Sequence, residues 1–201
     1  MTGGSVALGR PQAAAGFYGK LPARGDFVRA GLPGAFVQAW DGWWQRELPA
    51  VQARPDWRAA WLEAPVWRFH LPAGACGGVA ALGAWLPSVD RAGRYFPLVV
   101  AAVGEDAALL DAARRGFLGG AEQAALDALA LDLGPDDLAR RVADASGPSD
   151  DLPAAAWWTD GSPRVAPAQR TSPALPEGAA FATLINDAWA DAQADGATCP
   201  S

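Results

Sequence analysis

The sequence predicts an α/β fold: a single, layered α/β/α domain in which helices flank a mixed, partly antiparallel sheet. Three observations predict it. The candidate elements follow the order strand, helix, strands, helices, strand, helix, which is typical of a sheet covered on both faces. Two apolar segments of strand length, 77–87 and 95–103, are separated only by SVDRAGR and therefore predict a hairpin. The chain has 201 residues, 51% of them hydrophobic, which fits one domain with a sizeable core.

The first part of the domain predicts a strand followed by a long helix. Residues 16–21, GFYGKL, predict the strand, and PARGD after them predicts a turn. Residues 32–48 predict a helix because their large apolar side chains recur at helical spacing and form one broad stripe. Pro33 suits the first position of this helix, and Pro49 is expected to end it.

A short helix and three strands are expected next. Residues 56–64 predict the helix, which Asp56 could cap. Pro87 and Pro97 weaken the strand pattern locally and are expected at bulges or strand ends. The strand candidates are 66–71, 77–87 and 95–103.

The second half of the chain is predicted to be mainly helical. Residues 105–145 predict two or three helices, 155–161 a further strand and 178–190 a last helix. Residues 146–153, SGPSDDLP, interrupt both the helical and the strand spacing of apolar residues and predict a long surface loop. The predicted organisation is a flexible tail at 1–15, one domain at 16–189 and a flexible tail at 190–201.

Composition and charge argue against several classes of function. The chain has a formal net charge of −6, with one lysine, fifteen arginines and no basic cluster, which argues against nucleic-acid binding. No apolar run approaches the ~20 residues of a membrane span. The N-terminus lacks the pattern of a signal peptide, and Cys76 and Cys199 lie far apart, so a reducing cytoplasm is the predicted location. Two acidic pairs, Asp136–Asp137 at a helix start and Asp150–Asp151 in a loop, are explained by capping and by solubility.

The sequence predicts no catalytic residue, metal site or cofactor. A zinc site needs about four Cys, His or acidic ligands at tight spacing, and the chain has one histidine. His70, Ser88 and Asp90 could be combined into a triad, but no G-x-S-x-G sequence surrounds the serine. Cys76 is interpreted as a small buried apolar residue.

Ten tryptophans are an anomaly for this chain. Core packing explains Trp40 and Trp44, which lie on the helix stripe. The adjacent pairs Trp43–Trp44 and Trp157–Trp158 cannot both point inward if one face is in water, so part of this indole surface is expected to be half exposed. Tryptophan with arginine is typical of protein-binding surfaces, which makes Trp43 and Trp157 partner-binding candidates.

The densest motif is SVDRAGRYFPL at 88–98, which places three charges between two apolar runs. In one interpretation, Asp90 pairs with Arg91 or Arg94, Gly93 supplies a positive φ, and the loop is held in one shape. In the other, the loop presents a rigid charged surface to a partner, with the segment GKLPARGDF beside it. The residues alone favour the first interpretation over the second.

Two long motifs resemble a known family. GFYGKLPARGDFVRAGLP at 16–33 and PSVDRAGRYFPLVVA at 87–101 are similar to the ordered motifs of the TagF or ImpM family, which is associated with type VI secretion. APVWRFHL and WWTDG…LPEGAAF also resemble it, so the resemblance covers about residues 16–188. It implies a bacterial, cytoplasmic, non-enzymatic protein with an α/β/α layered fold. It further implies a post-translational repressor of type VI secretion that, in some systems, binds a forkhead-associated scaffold protein.

On this resemblance we expect a regulatory binding protein whose charged loops dock a secretion-system protein. The alternative is a small-ligand sensor or enzyme with a pocket lined by Lys20, Asp26, Asp90 and Arg94; a third possibility is a structural subunit of the machine. A concave pocket of convergent polar groups would favour the alternative, whereas paired groups beside a Trp- and Arg-bearing surface would favour docking. The oligomeric state is left open. The partner-binding or loop-shaping candidates are Lys20, Arg24, Asp26, Ser88, Asp90, Arg91, Arg94, Trp43 and Trp157.

Overall fold

Seven strands form one open sheet, and helices cover both of its faces. The structure, a computed structural model, describes residues 13–154 and 156–190. The strands are β1 Ala14–Gly19, β2 Val28–Ala30, β3 Trp67–Leu71, β4 Ala80–Leu86, β5 Leu98–Gly104, β6 Trp157–Thr159 and β7 Ala168–Arg170. The helices are α1 Gly34–Gln52, α2 Trp57–Leu62, α3 Asp106–Arg114, α4 Phe117–Ala130, α5 Pro135–Ala143 and α6 Gly178–Ala182, with a 3-10 helix at Asp187–Trp189. The strand order is β2-β1-β5-β4-β3-β6-β7.

The predicted α/β fold is confirmed, including the β4–β5 hairpin and three helices within 105–145. Every neighbouring pair is antiparallel, so the described sheet is antiparallel throughout instead of mixed. The β3–β4 and β4–β5 connections contain no helix, whereas parallel neighbours need a crossover that is usually an α-helix. Pro87 and Pro97 lie just outside the hairpin strands, as expected for residues that cannot donate to a ladder.

Two hydrophobic cores lie on opposite faces of the sheet. On one face, the aromatic stripe of α1 packs with residues of α2 and α6 against β3 and β4. On the other face, α3 and α4 pack over β4 and β5 and contribute Leu109 and Phe117, while α5 packs over β1 and β2 and contributes Leu138. Because successive strand residues point to opposite faces, Trp157 belongs to the first core and Trp158 to the second.

The expectation of half-exposed tryptophan pairs is wrong. Trp43, Trp44 and Trp157 are completely buried, and Trp158 is 8% exposed. The expectation assumed that one face of the sheet is in water, but helices cover both faces. Trp43 and Trp44 are adjacent in α1 and still both reach the core, because the buried stripe of this helix is broad.

Three boundaries in the first 52 residues differ from the prediction: the start of β1 and both ends of α1. α1 continues through Pro49 to Gln52, and Pro33 precedes the helix instead of occupying its first position. Pro49 has no N–H to donate to the Gln45 carbonyl, but both residues lie on the exposed side of the helix, where water can satisfy that carbonyl. The helix continues beyond it, and the Pro49 carbonyl accepts from the Ala53 N–H at 3.1 Å. β1 begins at Ala14, inside the predicted tail, because it pairs with β5 from that residue onward.

The last helix is shorter than predicted. α6 ends at Ala182, and the chain turns before the 3-10 helix at Asp187–Trp189. The Asn186 side-chain oxygen caps this second helix by accepting from the Ala188 N–H at 3.1 Å. The other predicted tail residues, 1–12 and 191–201, lie outside the described residues.

Two acidic residues have roles other than those predicted. Asp56 stands at the start of α2 but makes no capping hydrogen bond, and its carboxylate instead pairs with Arg164 at 3.1 Å. Asp150 accepts hydrogen bonds from the Leu118 and Gly119 N–H groups at 2.7 and 3.0 Å, in the first turn of α4. Solubility therefore does not explain Asp150, which ties the 146–153 loop to this helix.

Candidate functional site

The two charged loops meet at one end of the sheet. β1 and β5 are neighbours with Gly19 opposite Leu98, so the loop after β1 and the loop before β5 leave the sheet together. Gly19 has φ +143°, and a Cβ at this position would lie 2.0 Å from the Pro97 carbonyl oxygen. Only glycine allows this approach. The Arg91 N–H then donates to the Arg24 carbonyl at 3.0 Å and links the two loops.

Asp90 lies at the centre of the contact between the loops. Its buried carboxylate accepts hydrogen bonds through Oδ2 from Lys20 Nζ at 2.5 Å and from Arg94 Nε at 2.8 Å. Oδ1 accepts from the backbone N–H groups of Ala92 and Arg94, each at 2.9 Å. Gly93, at φ +77°, lets the loop turn back on itself. The predicted Asp90–Arg94 pair and the positive φ of Gly93 are confirmed, and Lys20 is an additional partner that the sequence did not reveal.

This carboxylate is unsuited to proton transfer. Burial favours the neutral acid, but hydrogen bonds from Lys20 and Arg94 outweigh it and lower the pKa of Asp90 from 3.8 to about 2. A group that stays ionised throughout the physiological range is a poor general acid or base. The hydrogen bonds of this carboxylate to Lys20, Ala92 and Arg94 hold the two loops together.

Three further side-chain contacts lie within or between the same two loops. The buried Ser88 hydroxyl donates to the Lys20 carbonyl at 2.7 Å. Lys20 Nζ lies 4.3 Å from the centre of the Phe27 ring, a cation–π distance. Asp26 is fully exposed, and its oxygen lies 3.7 Å from Arg94, so this pair adds little to stability. Lys20, Ser88 and Asp90 thus face inward, and the remaining charged candidates face solvent.

The outward side chains of these loops carry unpaired positive charge. Arg24 and Arg91 are exposed, and neither forms an ion pair with any residue in 13–154 or 156–190. The Arg94 side chain is 56% exposed even though its Nε is bonded to Asp90. The loops therefore present cations whose backbone positions are fixed by the network beneath them.

Helix α2 places apolar and aromatic side chains beside these cations. Trp61 Nε1 donates to the Ser88 carbonyl at 3.1 Å and so anchors α2 to the loop. The Trp57 ring packs edge-on against Tyr95 at 4.7 Å, and the Arg58 guanidinium lies 4.8 Å from the centre of the Trp57 ring.

An apolar recess continues this surface. Leu62 is 63% exposed and lines a cleft of about 200 Å³ together with Pro22, Pro87 and Val89. Neither Arg24, Arg58 nor Arg91 has an acidic partner among the described residues. We call this region the arginine surface and define it by its side chains: Arg24, Trp57, Arg58, Leu62 and Arg91.

Two predicted binding residues lie elsewhere. Trp43 and Trp157 are buried, and their Nε1 atoms donate to the Pro176 and Ala174 carbonyls at 2.7 and 3.2 Å. They cannot contact a partner directly and instead hold the 174–176 segment against the core. The tryptophan that reaches the surface is Trp57, which is half-buried against the core and was not among the predicted binding residues. The adjacent Trp57–Arg58 dipeptide at the start of a short helix was the available signal.

The four residues of the alternative function do not line any of the prominent clefts among the described residues, and two of them, Lys20 and Asp90, are buried and paired with each other. Five clefts stand out on the surface of the described residues, and none is lined by Lys20, Asp26, Asp90 or Arg94. Burial raises the pKa of the Cys76 thiol to about 12, which makes it a poor nucleophile. No group of three His, Cys, Asp or Glu side chains suited to a metal ion occurs in the part of the chain that the structure describes. Within the same residues, no helix combines the length and apolar character that a membrane crossing requires.

Comparisons with known proteins match most of the chain. The family model described as the TagF N-terminal domain, type VI secretion system-associated, matches residues 16–145 and includes both charged loops. Among solved structures, PA0076 from Pseudomonas aeruginosa PAO1 is 29% identical, with a TM-score of 0.69, over 94% of this chain and 98% of that one. Among curated proteins, none matches this chain.

Proposed function

The chain belongs to the type VI secretion-associated TagF family, and we propose that it is a non-enzymatic repressor that binds a forkhead-associated scaffold protein of the secretion machine. Family membership links the chain to type VI secretion. The repressor role, the scaffold partner and a cytoplasmic location are supported by the resemblance of the two loop motifs. In this proposal the protein occupies a scaffold that the machine needs for assembly.

The observation that carries the proposal is that the buried charges of the two loops are paired with each other, while the exposed arginines of the same loops are not. All four hydrogen bonds to Asp90 come from within the two loops, so this carboxylate is fully occupied by the loops themselves. The exterior combines arginine, tryptophan and leucine, the composition of protein-binding surfaces. A fixed loop that presents such side chains favours docking over catalysis.

The charge of the arginine surface defines the partner. The whole chain is acidic, with a net charge of −6, yet Arg24, Arg58 and Arg91 have no acidic partner among the described residues. An acidic segment with an apolar side chain would pair with these cations and fill the recess beside Leu62. We therefore expect the scaffold to contribute such a segment.

The test is a binding measurement between the purified chain and the forkhead-associated scaffold of the same host. In the variant Arg24→Glu/Arg91→Glu, two exposed cations become anions without any change to the Asp90 network. We expect binding to weaken by roughly 30-fold or more, because reversal of two contacts near the centre of an interface costs about 2 kcal/mol or more.

The matched control is Arg46→Glu/Arg114→Glu. These arginines are also exposed, form no ion pair among the described residues and lie in α1 and α3, away from the loops. The control makes the same change in net charge and should bind like the wild type. Equal loss in both variants would show that only net charge matters, and failure of the wild type to bind would overturn the scaffold mechanism.

Secretion itself gives the second readout. Deletion of the gene should raise effector secretion, and the wild-type chain should restore repression while Arg24→Glu/Arg91→Glu does not. Unchanged secretion after deletion would contradict the repressor role independently of any binding result.

A further inference from the structure

We propose that a cleft between the C-terminal end of α1 and α6 binds a small monocarboxylate with a compact apolar body. The cleft has a volume of about 450 Å³, which lies in the range of small-molecule sites. It is distinct from the arginine surface, and the proposal does not depend on the proposed function.

The walls of the cleft are mainly apolar. The end of α1 contributes Ala50 and Val51, α6 contributes Phe181 and Ala182, and Trp189 follows from the 3-10 helix. Small side chains on both helices leave the space open, while the aromatic rings supply flat contact area. An apolar body is therefore favoured inside.

Two charged residues line the cleft, and they differ in their contacts. The Glu47 carboxylate is already engaged, because Oε2 accepts a hydrogen bond from the Gly178 N–H at 2.8 Å. The Arg54 side chain forms no ion pair with any residue in 13–154 or 156–190. Its Nε is buried and has no hydrogen-bond partner. Arg54 is thus a cation at a mainly apolar cleft, and no carboxylate of the described residues, Glu47 included, lies within ion-pair distance of it.

The orientation of Arg54 is fixed without an anion. Its guanidinium lies 4.7 Å from the centre of the Trp189 ring, so stacking on the indole holds the guanidinium in place. Guanidinium groups in such places are normally paired, since an unsatisfied buried donor costs about 1–3 kcal/mol. Arg54 Nε is covered by the protein, but the terminal Nη donors are neither buried nor hydrogen-bonded among the described residues. A carboxylate entering the cleft would pair with these Nη donors, whose planar arrangement matches its two oxygens.

A small ligand fits this arrangement better than an extended peptide. The lining residues come from two short stretches, 47–55 and 178–189, that converge around Arg54. No strand of the described sheet borders the cleft, so strand addition by a peptide is not available there. One charged group beside an apolar body is therefore the ligand chemistry that the site defines.

The probe is 3-phenylpropionate, measured by isothermal titration calorimetry against its primary amide, 3-phenylpropionamide. The two differ in charge but hardly in shape. We expect the acid to bind the wild-type chain at least about tenfold more tightly than the amide, because only the acid pairs with the Arg54 guanidinium. Arg54→Gln should remove this preference, and Arg46→Gln, an exposed arginine on the same helix, should keep it.

A second variant keeps the test decisive if Arg54→Gln is poorly folded. Ala179→Leu places a larger side chain at the wall of the cleft and leaves Arg54 in place; it should weaken the acid and the amide alike. The proposal is overturned if the wild type does not bind the acid up to about 10 mM, a ceiling set by the weakest measurable affinities. It is also overturned if acid and amide bind equally, or if a folded Arg54→Gln retains the preference.

Discussion

Replacement of Asp90 by alanine should destabilise the fold much more than replacement of its partner Lys20 by methionine. The Asp90 side chain is completely buried and the Lys20 side chain is 5% exposed. Asp90→Ala removes four hydrogen bonds and leaves the Lys20 ammonium buried beside the Phe27 ring alone. Breaking a buried pair from one side costs about 3–5 kcal/mol. We expect about 3 kcal/mol, the lower end, because a loop at the end of the sheet can admit water.

The reverse change removes the same ion pair with a smaller penalty. After Lys20→Met, the Asp90 carboxylate still accepts from Arg94 Nε and from two backbone N–H groups. The remaining charge therefore stays satisfied, and methionine fills much of the space of the lysine stem. The expected loss is about 1 kcal/mol. Asp90→Asn, which keeps one acceptor for the backbone donors, should fall between the two variants.

The assay is urea-induced unfolding followed by tryptophan fluorescence, for which the many buried indoles give a large signal. For a chain of this length, 3 kcal/mol corresponds to a fall in Tm of about 6–12 °C, which a thermal scan checks independently. Equal destabilisation by Lys20→Met and Asp90→Ala would refute this prediction, since the donors that remain for the Asp90 carboxylate after Lys20→Met would then have no effect. A loss below about 1 kcal/mol for Asp90→Ala would equally refute it, because the pair would not be a buried one.

Three further predictions concern single residues. Because the pKa of Asp90 is lowered to about 2, the stability that its charge contributes is complete above the ordinary carboxylate pKa of 3.8 and is lost as the pH falls towards 2. The difference between the urea midpoints of wild type and Asp90→Asn should therefore be constant above pH 3.8 and shrink between pH 3.8 and 2. At pH 8, Cys76 should react with iodoacetamide at least roughly a hundredfold more slowly in the native chain than in denaturant, because burial raises the pKa of its thiol. Peptide mass spectrometry measures the two rates, and fast labelling of the native chain would contradict the raised pKa. Gly19→Ala should prevent folding or destabilise the fold by more than about 3 kcal/mol, because the added Cβ would collide with the Pro97 carbonyl. Gly93→Ala should cost only about 1–2 kcal/mol, since its added Cβ meets open space and only the positive φ is unfavourable. Equal melting temperatures of the two variants would disprove the close approach of Gly19 to Pro97.

The sequence predicts those parts of the site that depend on neighbours in the chain. The pairing of Asp90 with Arg94 spans four residues, and the turn at Gly93 lies between them. Lys20 is seventy positions from Asp90, and their contact follows from the pairing of β1 with β5. No local pattern specifies that two distant strands become neighbours in this register, so the central ion pair could not be predicted from the sequence.

The tryptophans show a second limit of local patterns. Alternation along a strand indicates which side chains share a face, but not whether that face meets water. Trp157 and Trp158 point in opposite directions, as the period requires, and both are buried because helices lie on both sides. Trp57, in contrast, is at the surface because α2 is short and packs mainly through Ala60 and Trp61. Exposure depends on the packing of layers, which only the fold determines.

The structural and the binding interpretations of the charged loops apply to different residues. The structural interpretation applies to Lys20 and Asp90, whose buried ion pair joins the two loops. The binding interpretation applies to Arg24 and Arg91, whose backbones are held together by a hydrogen bond between the loops. Stability and binding should therefore separate by position. Arg24→Glu/Arg91→Glu should lose scaffold binding with an unchanged urea midpoint, because neither side chain has a partner among the described residues to lose. Lys20→Met should lower the midpoint but bind the scaffold with nearly wild-type affinity once folded, since the Arg91–Arg24 backbone contact remains. If Lys20→Met abolished binding while the reversal variant bound normally, the partner would contact the interior network itself, and the arginine surface would be the wrong interface.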